Sequence, residues 1–523
     1  MSNIQEINVI RKKHYASEFI TFALCYPNKY RAGISNYAIQ LIYTLLNRYN
    51  DISCERIFWD NQKTIKSIES GKPLNSFDYI GFTLQYELDY FNIIKMLKNG
   101  TIPILSRNRR RPILVAGGPC VLENPIPIKD IFDLLILGDL EPELDEFVKF
   151  LRRSKANNYE VNIKKGEGFL IPHNREKTQV EKSYTKDLNS QKHVIGQIIP
   201  INYPNEDLLG FGKSLLLECT RGCKGKCNFC LIGWQNNPYR ERSFSKIKDI
   251  VDDCIELNPI KKISIIGSGI SFHKKLNEIA WHIANKGYNL SVPSLRADKF
   301  TSDLAEALNN ANLKQITFAP ETGSNRLRSS INKKMTNNEI LNAIQIALEN
   351  NIKKIKLYFM IDLPGEKKVD IKDIPHLIDN ILEINTDNRN ISISINPFIP
   401  KPHTPFQWSK ISDIKDIKKK MKYLRYELEK QRRLKISFGD PRWSRIQTIL
   451  SRGDKEIQDF LLQTYDEGRN LGSLRRILSE MNLSLNDFLE EIDMNEKLPW
   501  DFINTGIKKK ILVKIWKKYR KNI

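Results

Sequence analysis

Two rhythms of apolar and polar positions divide this chain. Between residues 20 and 150, short runs that are apolar on both faces alternate with stretches of helical spacing. The runs at 20–24, 79–84, 112–116 and 134–137 predict buried parallel strands, because a strand covered on both sides cannot alternate with polar residues. Residues 37–49 and 90–97 carry apolar positions at helical intervals. This alternation predicts an α/β fold opening with a Rossmann-like open sheet over residues 1–150. Residues 151–205 are polar and irregular, with Pro172, Pro200 and Pro204, and predict a linker carrying a few strands. From 212 to 400 the chain repeats strand then helix, with candidate strands at 214–218, 263–266, 290–295, 315–318, 355–359 and 391–395. Six units in about 190 residues predict a partial (β/α)6 barrel, since a closed eight-stranded barrel needs roughly 250. The barrel domain is placed at 206–410, beginning near Asp207. Residues 411–523 read as mostly helical and end on a helix with Ile507, Ile511, Ile515 and Tyr519 on one face.

A chain of 523 residues exceeds one core and implies two or three domains. With 41% hydrophobic residues and no apolar run long enough to span a bilayer, the composition is that of a globular protein without a membrane span. The opening residues lack a leader pattern, which predicts a cytoplasmic protein. A net charge of +22 invites a polyanionic partner such as RNA. The surplus is spread along the chain, however, with local clusters at 107–111, 418–422 and 508–521. Eight cysteines, four of them between 219 and 230, point to metal ligation in a reducing compartment and away from a disulfide framework.

Cys223, Cys227 and Cys230 form a CX3CX2C loop directly after the first barrel strand. Three thiolates at this spacing can hold three irons of a 4Fe-4S cluster and leave the fourth open to another ligand. Cys219, four residues upstream, leaves a closed four-cysteine zinc or electron-transfer site as the alternative. Other unusual residues gather at strand ends, where parallel folds place their sites. In the N-terminal half these are Ser35, Gln85, Glu87, Gly117 and Gly118, together with the run from Gly138 to Glu141. In the barrel they are Gly267 and Ser268, Ser294 and Arg296, Glu321, Ser324 and Arg328, and the proline-rich loop holding His403 and Gln407.

The CX3CX2C loop resembles that of the radical S-adenosylmethionine (radical SAM) enzymes. The resemblance implies that the open iron chelates SAM and that an electron from the cluster cleaves it to a 5′-deoxyadenosyl radical. Phe229 matches the family's aromatic position beside the adenine. Gly267 and Ser268 match the glycine-rich turn at the SAM amino group, and Ser294, Arg296, Glu321, Ser324 and Arg328 fall where the family places further SAM contacts. The N-terminal elements and the loop from Pro400 to Trp408 resemble the group with a cobalamin-binding-type domain, which implies corrin contacts at Ser35, Gln85, Glu87, Gly117 and Gly118. The Asp-x-His-x-x-Gly motif that supplies a histidine to cobalt is absent. His403 is implied in proton transfer or substrate placement. The resemblance implies a cobalamin-dependent C-methyltransferase, with a ferredoxin or flavodoxin as reductant and a protein, RNA or lipid-like substrate. The alternative is a methylthiotransferase or other RNA-modifying radical enzyme, for which Cys25, Cys54 and Cys120 would have to hold a second cluster.

Overall fold

The computed structural model describes residues 4–10, 18–60, 64–163, 165–172, 179–203, 209–386, 389–431, 434–467 and 470–523. The expected start of the barrel domain near Asp207 lies outside the described residues, as does Pro204.

The N-terminal sheet contains β1 (Ile20–Tyr26), β2 (Ile52–Phe58), β3 (Tyr79–Thr83), β4 (Ile113–Gly117), β5 (Leu134–Ile136) and the short antiparallel β6 (Phe169–Leu170), in the order β2-β1-β3-β4-β5-β6. Helices α1 (Tyr37–Asn47) and α4 (Leu144–Ala156) pack on one face, and α2 (Tyr90–Asn99) and α3 (Pro119–Glu123) on the other. Every residue of β1, β2 and β3 is buried, which accounts for the apolar runs of β1 and β3. Strand β2, not anticipated from the pattern, carries Glu55 and Arg56 into the interior, where Ser70 donates to Glu55 and Arg56 pairs with Glu6 and Glu69. The strand order reverses direction between β1 and β3, so a crevice opens at their carboxyl ends.

The second half contains β7 (Leu215–Arg221), the short α5 (Leu231–Gln235), the antiparallel β8 (Arg240–Glu241), α6 (Phe244–Leu257), β9 (Lys262–Gly267), α7 (Leu276–Asn285), β10 (Asn289–Ser291) and α8 (Ser302–Asn310). It continues through β11 (Ile316–Glu321), α9 (Asn325–Ser330), α10 (Asn337–Glu349), β12 (Lys354–Ile361), α11 (Lys368–Ile384) and β13 (Asn390–Pro397). Sheet β8-β7-β9-β10 meets a second sheet through a parallel bridge between Leu295 and Phe318, completing the curved wall of a partial barrel. All six expected barrel strands are present. A further strand, β14 (Leu434–Phe438), lies parallel to β13, so the barrel sheet runs past residue 410 into a region expected to be helical. Its sequence, Leu-Lys-Ile-Ser-Phe, is half polar because it borders the open side of the barrel and one face meets solvent.

Helices α12 (Ile414–Glu429), α13 (Pro441–Arg452), α14 (Lys455–Glu467), α15 (Leu471–Glu480) and α16 (Lys509–Asn522) make up the rest. They bind the halves together. The side chain of Asn124 donates to the carbonyls of Ser451 (3.1 Å) and Gly453 (2.7 Å), and Gln458 pairs with Asp130 at 2.9 Å. The linker is likewise sewn in at several points. Residues Ile199–Pro200 pair with Glu6–Ile7, and Val180–Glu181 with Ile503–Asn504. Helix α16 buries Leu512, Trp516 and Tyr519, whereas Ile511, expected on the inner face, is 43% exposed. The rings of Trp516 and Tyr519 stack and meet Phe406, and that aromatic contact sets the helix rotation.

Candidate active site

Strand β7 delivers the cysteine loop. Cys219 lies inside the strand, fully buried, and its thiol donates to the Leu217 carbonyl. It faces the core, so the closed four-cysteine alternative has no fourth ligand there. Beyond the strand the loop is pinned by its backbone: Asn228 N–H donates to Ile331 (2.9 Å), Phe406 N–H to the Asn228 carbonyl (3.2 Å), and Trp234 Nε1 to the Cys227 carbonyl (2.9 Å). Gly225 N–H points at the Cys223 sulfur from 3.3 Å. Gly269, in the left-handed region at φ +63°, approaches so closely that a β-carbon there would lie 3.0 Å from that sulfur. Burial pushes the Cys227 thiol up to about 12 and raises that of Cys230. A buried thiol held this high ionises when a cation binds it, so the donor set fits a metal centre that supplies its own positive charge. Lys333, ion-paired to Glu321 at 2.8 Å, and Arg296 both lower the Cys227 thiol, against the larger effect of burial.

Glu321 ends β11 at φ +68°, close enough to the loop that its charge raises the Cys227 thiol. Arg296 stacks over Phe272 with 5.5 Å to the ring centre, binds Asp298 at 2.8 Å and donates to the Lys334 carbonyl at 2.7 Å. Its remaining amino group faces Gly225 of the cysteine loop. Ser294 is exposed beyond β10. Phe229 is half-buried against an aromatic cluster that includes Trp234 and Phe406.

Four expectations are corrected. Arg328 is completely buried and spends its donors on Asn325 and on the carbonyls of Pro320, Thr322 and Met335; it knits the β11–α9 turn instead of clamping a carboxylate. Ser324 is the N-cap of α9, accepting from Leu327 N–H at 3.3 Å. Glu87 turns away from the crevice into a buried network with Lys401 and Gln447. His403 is buried at φ +59°, its ring wedged against the Leu122–Glu123 backbone, and burial holds its pKa down to about 4. It is a neutral packing residue of the proline-rich loop, not a proton donor at the barrel mouth.

The remaining residues converge. A cavity of about 480 Å³ runs from the crevice of the N-terminal sheet to the cysteine loop. Ser35, Gln85, Gly117 and Gly118 line one end; Gly222, Gly267 and Ser268 line the other. Gly118 has φ +113°, and a β-carbon there would strike the Leu84 carbonyl at 2.6 Å. Thr83, at the end of β3, is among the residues lining this cavity, and its buried hydroxyl has no hydrogen-bond partner among the described residues. The wall between the two ends is an ion-pair network: Arg221 binds Glu218 (2.7 Å), Glu141 (2.5 Å) and Asp139 (3.1 Å), and Arg240 also reaches Asp139. Sequence patterns alone pointed to neither Thr83 nor Arg221. A hydroxyl ending an apolar strand and a lone cation two residues before Cys223 were the signals available.

Sequence comparison decides the family. "Radical SAM proteins, N-terminal" matches residues 38–168, and "Radical SAM superfamily" matches residues 217–378. "Uncharacterized protein MJ0966" of Methanocaldococcus jannaschii is 34% identical over 461 residues, covering 88% of this chain and 94% of the relative. The chain belongs to the radical SAM superfamily. Membership of this superfamily implies a 4Fe-4S cluster and SAM, and the matched span includes the cysteine loop. The ribosomal protein uS12 methylthiotransferase RimO of Clostridioides difficile is 21% identical, covering 55% of this chain and 65% of the relative. Among solved structures, the radical SAM methyltransferase TsrM from Kitasatospora setae, determined with cobalamin and a 4Fe-4S cluster, has the same fold. Its TM-score is 0.57 at 12% identity, covering 89% of this chain and 99% of that one. No helix among the described residues is long and apolar enough to cross a membrane.

Proposed function

We propose that this radical SAM enzyme is a cobalamin-dependent C-methyltransferase acting on an unactivated carbon. The observation that carries the proposal is the continuous cavity between the switch point of the N-terminal sheet and the cysteine loop. Cys223, Cys227 and Cys230 would hold the cluster, with Gly267, Ser268 and Glu321 at the SAM side. Thr83, Gln85, Gly117 and Gly118 would hold the corrin. When bound, the cluster and SAM supply the hydrogen-abstracting radical and the corrin supplies the methyl group. The chain's own part is positional. Gly118 lets the turn after β4 close onto the Leu84 backbone at the cavity wall, Gly269 seats the first cysteine, and the Arg221 network fixes the two ends relative to each other.

The basic charge and the likeness to RimO favour a second reading, a methylthiotransferase acting on RNA or protein. That reading needs a second cluster. Cys25 and Cys120 pack on one face of the N-terminal sheet and Cys54 on the other, an arrangement that weighs against it. Anaerobic purification with added hydroxocobalamin separates the two. About four irons with one corrin per chain, and deoxyadenosine together with S-adenosylhomocysteine as SAM products, support methyl transfer; about eight irons without cobalt overturn it in favour of the second reading. A ferredoxin or flavodoxin is the expected electron donor.

A further inference from the structure

The barrel strands show a two-residue rhythm that the apolar core does not explain. Along β12 and β13, Ile355, Leu357, Phe359, Ile391, Ile393 and Ile395 are buried against the helices, and the residues between them face the lumen. In β14 the apolar Leu434, Ile436 and Phe438 pack toward the core, leaving Lys435 and Ser437 on the lumen side. Strand register aligns these positions into rows. Thr317, Lys356, Ser392 and Lys435 lie side by side across four parallel strands, and Tyr358, Ser394 and Ser437 form the next row. The first row holds two cations and no carboxylate. Lys356 lies over the Tyr358 ring at 4.9 Å, which keeps its ammonium inside the lumen.

We infer that the lumen binds its substrate through an anionic group, a carboxylate or a phosphate, seated on Lys356 and Lys435. The inference rests on the radical SAM reading of the lumen as the substrate side. The two lysines flank Ser392 two strands apart, about 10 Å between backbones, a span that an anion seated between their ammonium groups can bridge with charge-assisted hydrogen bonds. Lys356 precedes Met360 by four residues on one strand, about 13 Å at the rise of extended chain. The anionic group therefore lies well below the rim where the cysteine loop sits, and it acts as a remote anchor that holds the reacting carbon in place.

Isothermal titration of the full-length, anaerobically reconstituted chain with inorganic phosphate and with succinate tests this. The wild type is expected to bind at least one of them, and K356M/K435M about tenfold or more weaker. A K418M/K419M control on α12 should match the wild type, and K356R/K435R should retain binding. Tighter phosphate identifies a phosphate-bearing substrate, and tighter succinate a carboxylate. Should K356M/K435M misfold, K435Q alone decides, because that side chain is exposed. Wild type that binds neither anion, or variants that bind as well as wild type, would overturn the inference. No SAM cleavage or corrin enters the measurement, so a failed methyl-transfer assay leaves its result intact.

Discussion

A β-carbon on Gly269 would stand 3.0 Å from the Cys223 sulfur, so the turn after β9 is moulded directly onto the first cysteine of the cluster loop. Gly269→Ala must accept both that contact and a left-handed backbone, a strain of about 1–2 kcal/mol. It is expected to lower iron content per chain after reconstitution while leaving the far-ultraviolet spectrum unchanged. Cys219→Ala, by contrast, should bind iron as the wild type does, because its thiol faces the core; it should cost only about 1 kcal/mol of stability. Loss of iron in Cys219→Ala would sink the three-cysteine assignment.

Arg221 ties the halves together electrostatically. Replacing it with Met leaves Glu218, Glu141 and Asp139 clustered without one of their shared cations. Breaking a buried pair in this way is expected to cost about 3–5 kcal/mol, measured as a lowered urea midpoint. Asp139→Asn removes one carboxylate and should be milder. Equal effects of the two would contradict the network's hub.

Two buried carboxylates, Glu87 and Glu123, share the ammonium of Lys401. Burial pushes Glu123 up to about 8, while Lys401 helps hold Glu87 below its usual range. A carboxyl whose folded pKa lies above its ordinary 4.5 contributes stability that is present at low pH and lost as pH rises to about 8. Unfolding midpoints should therefore fall between pH 4.5 and 8, with a slope from this group of at most about 1.4 kcal/mol per pH unit. Glu123→Gln should flatten that part of the profile. An unchanged slope would refute the buried proton.

Trp516 on α16 packs in the same aromatic core as Trp234, whose ring N–H holds the Cys227 carbonyl. Trp516→Ala is expected to cost about 3–5 kcal/mol and to weaken iron retention as well. Chelator challenge, followed by absorbance, reads the second effect. Stability loss with iron retention unchanged would show that the helix only caps the core.

Most parallel strands of both halves and the spacing of the three loop cysteines were legible because buried strands leave continuous apolar runs and metal ligands keep short spacings. Strand β2 was missed because Ser53, Glu55 and Arg56 interrupt its apolar residues although all are buried. Strand β14 was not legible, since Lys435 and Ser437 break its apolar run where one face meets the lumen. Arg328 and Ser324 sit in a motif that suggests cofactor binding, yet their local geometry gives them capping and turn-holding tasks. The Glu87–Lys401 contact joins residues 314 apart in sequence, and no local pattern encodes it. His403 was placed at the mouth because prolines flank it, and only tertiary packing reveals that its ring points under α3.

The pairing of Val180–Glu181 with Ile503–Asn504, and the seating of α16 beneath the cysteine loop, carry a consequence for biosynthesis. At roughly 5–20 residues per second, tens of seconds separate the emergence of Cys230 from that of Trp516. During that interval the loop lacks its aromatic floor. Iron delivered to a nascent chain in that interval would meet an unfinished, solvent-accessible cradle, so cluster insertion is expected to follow the emergence and docking of α16.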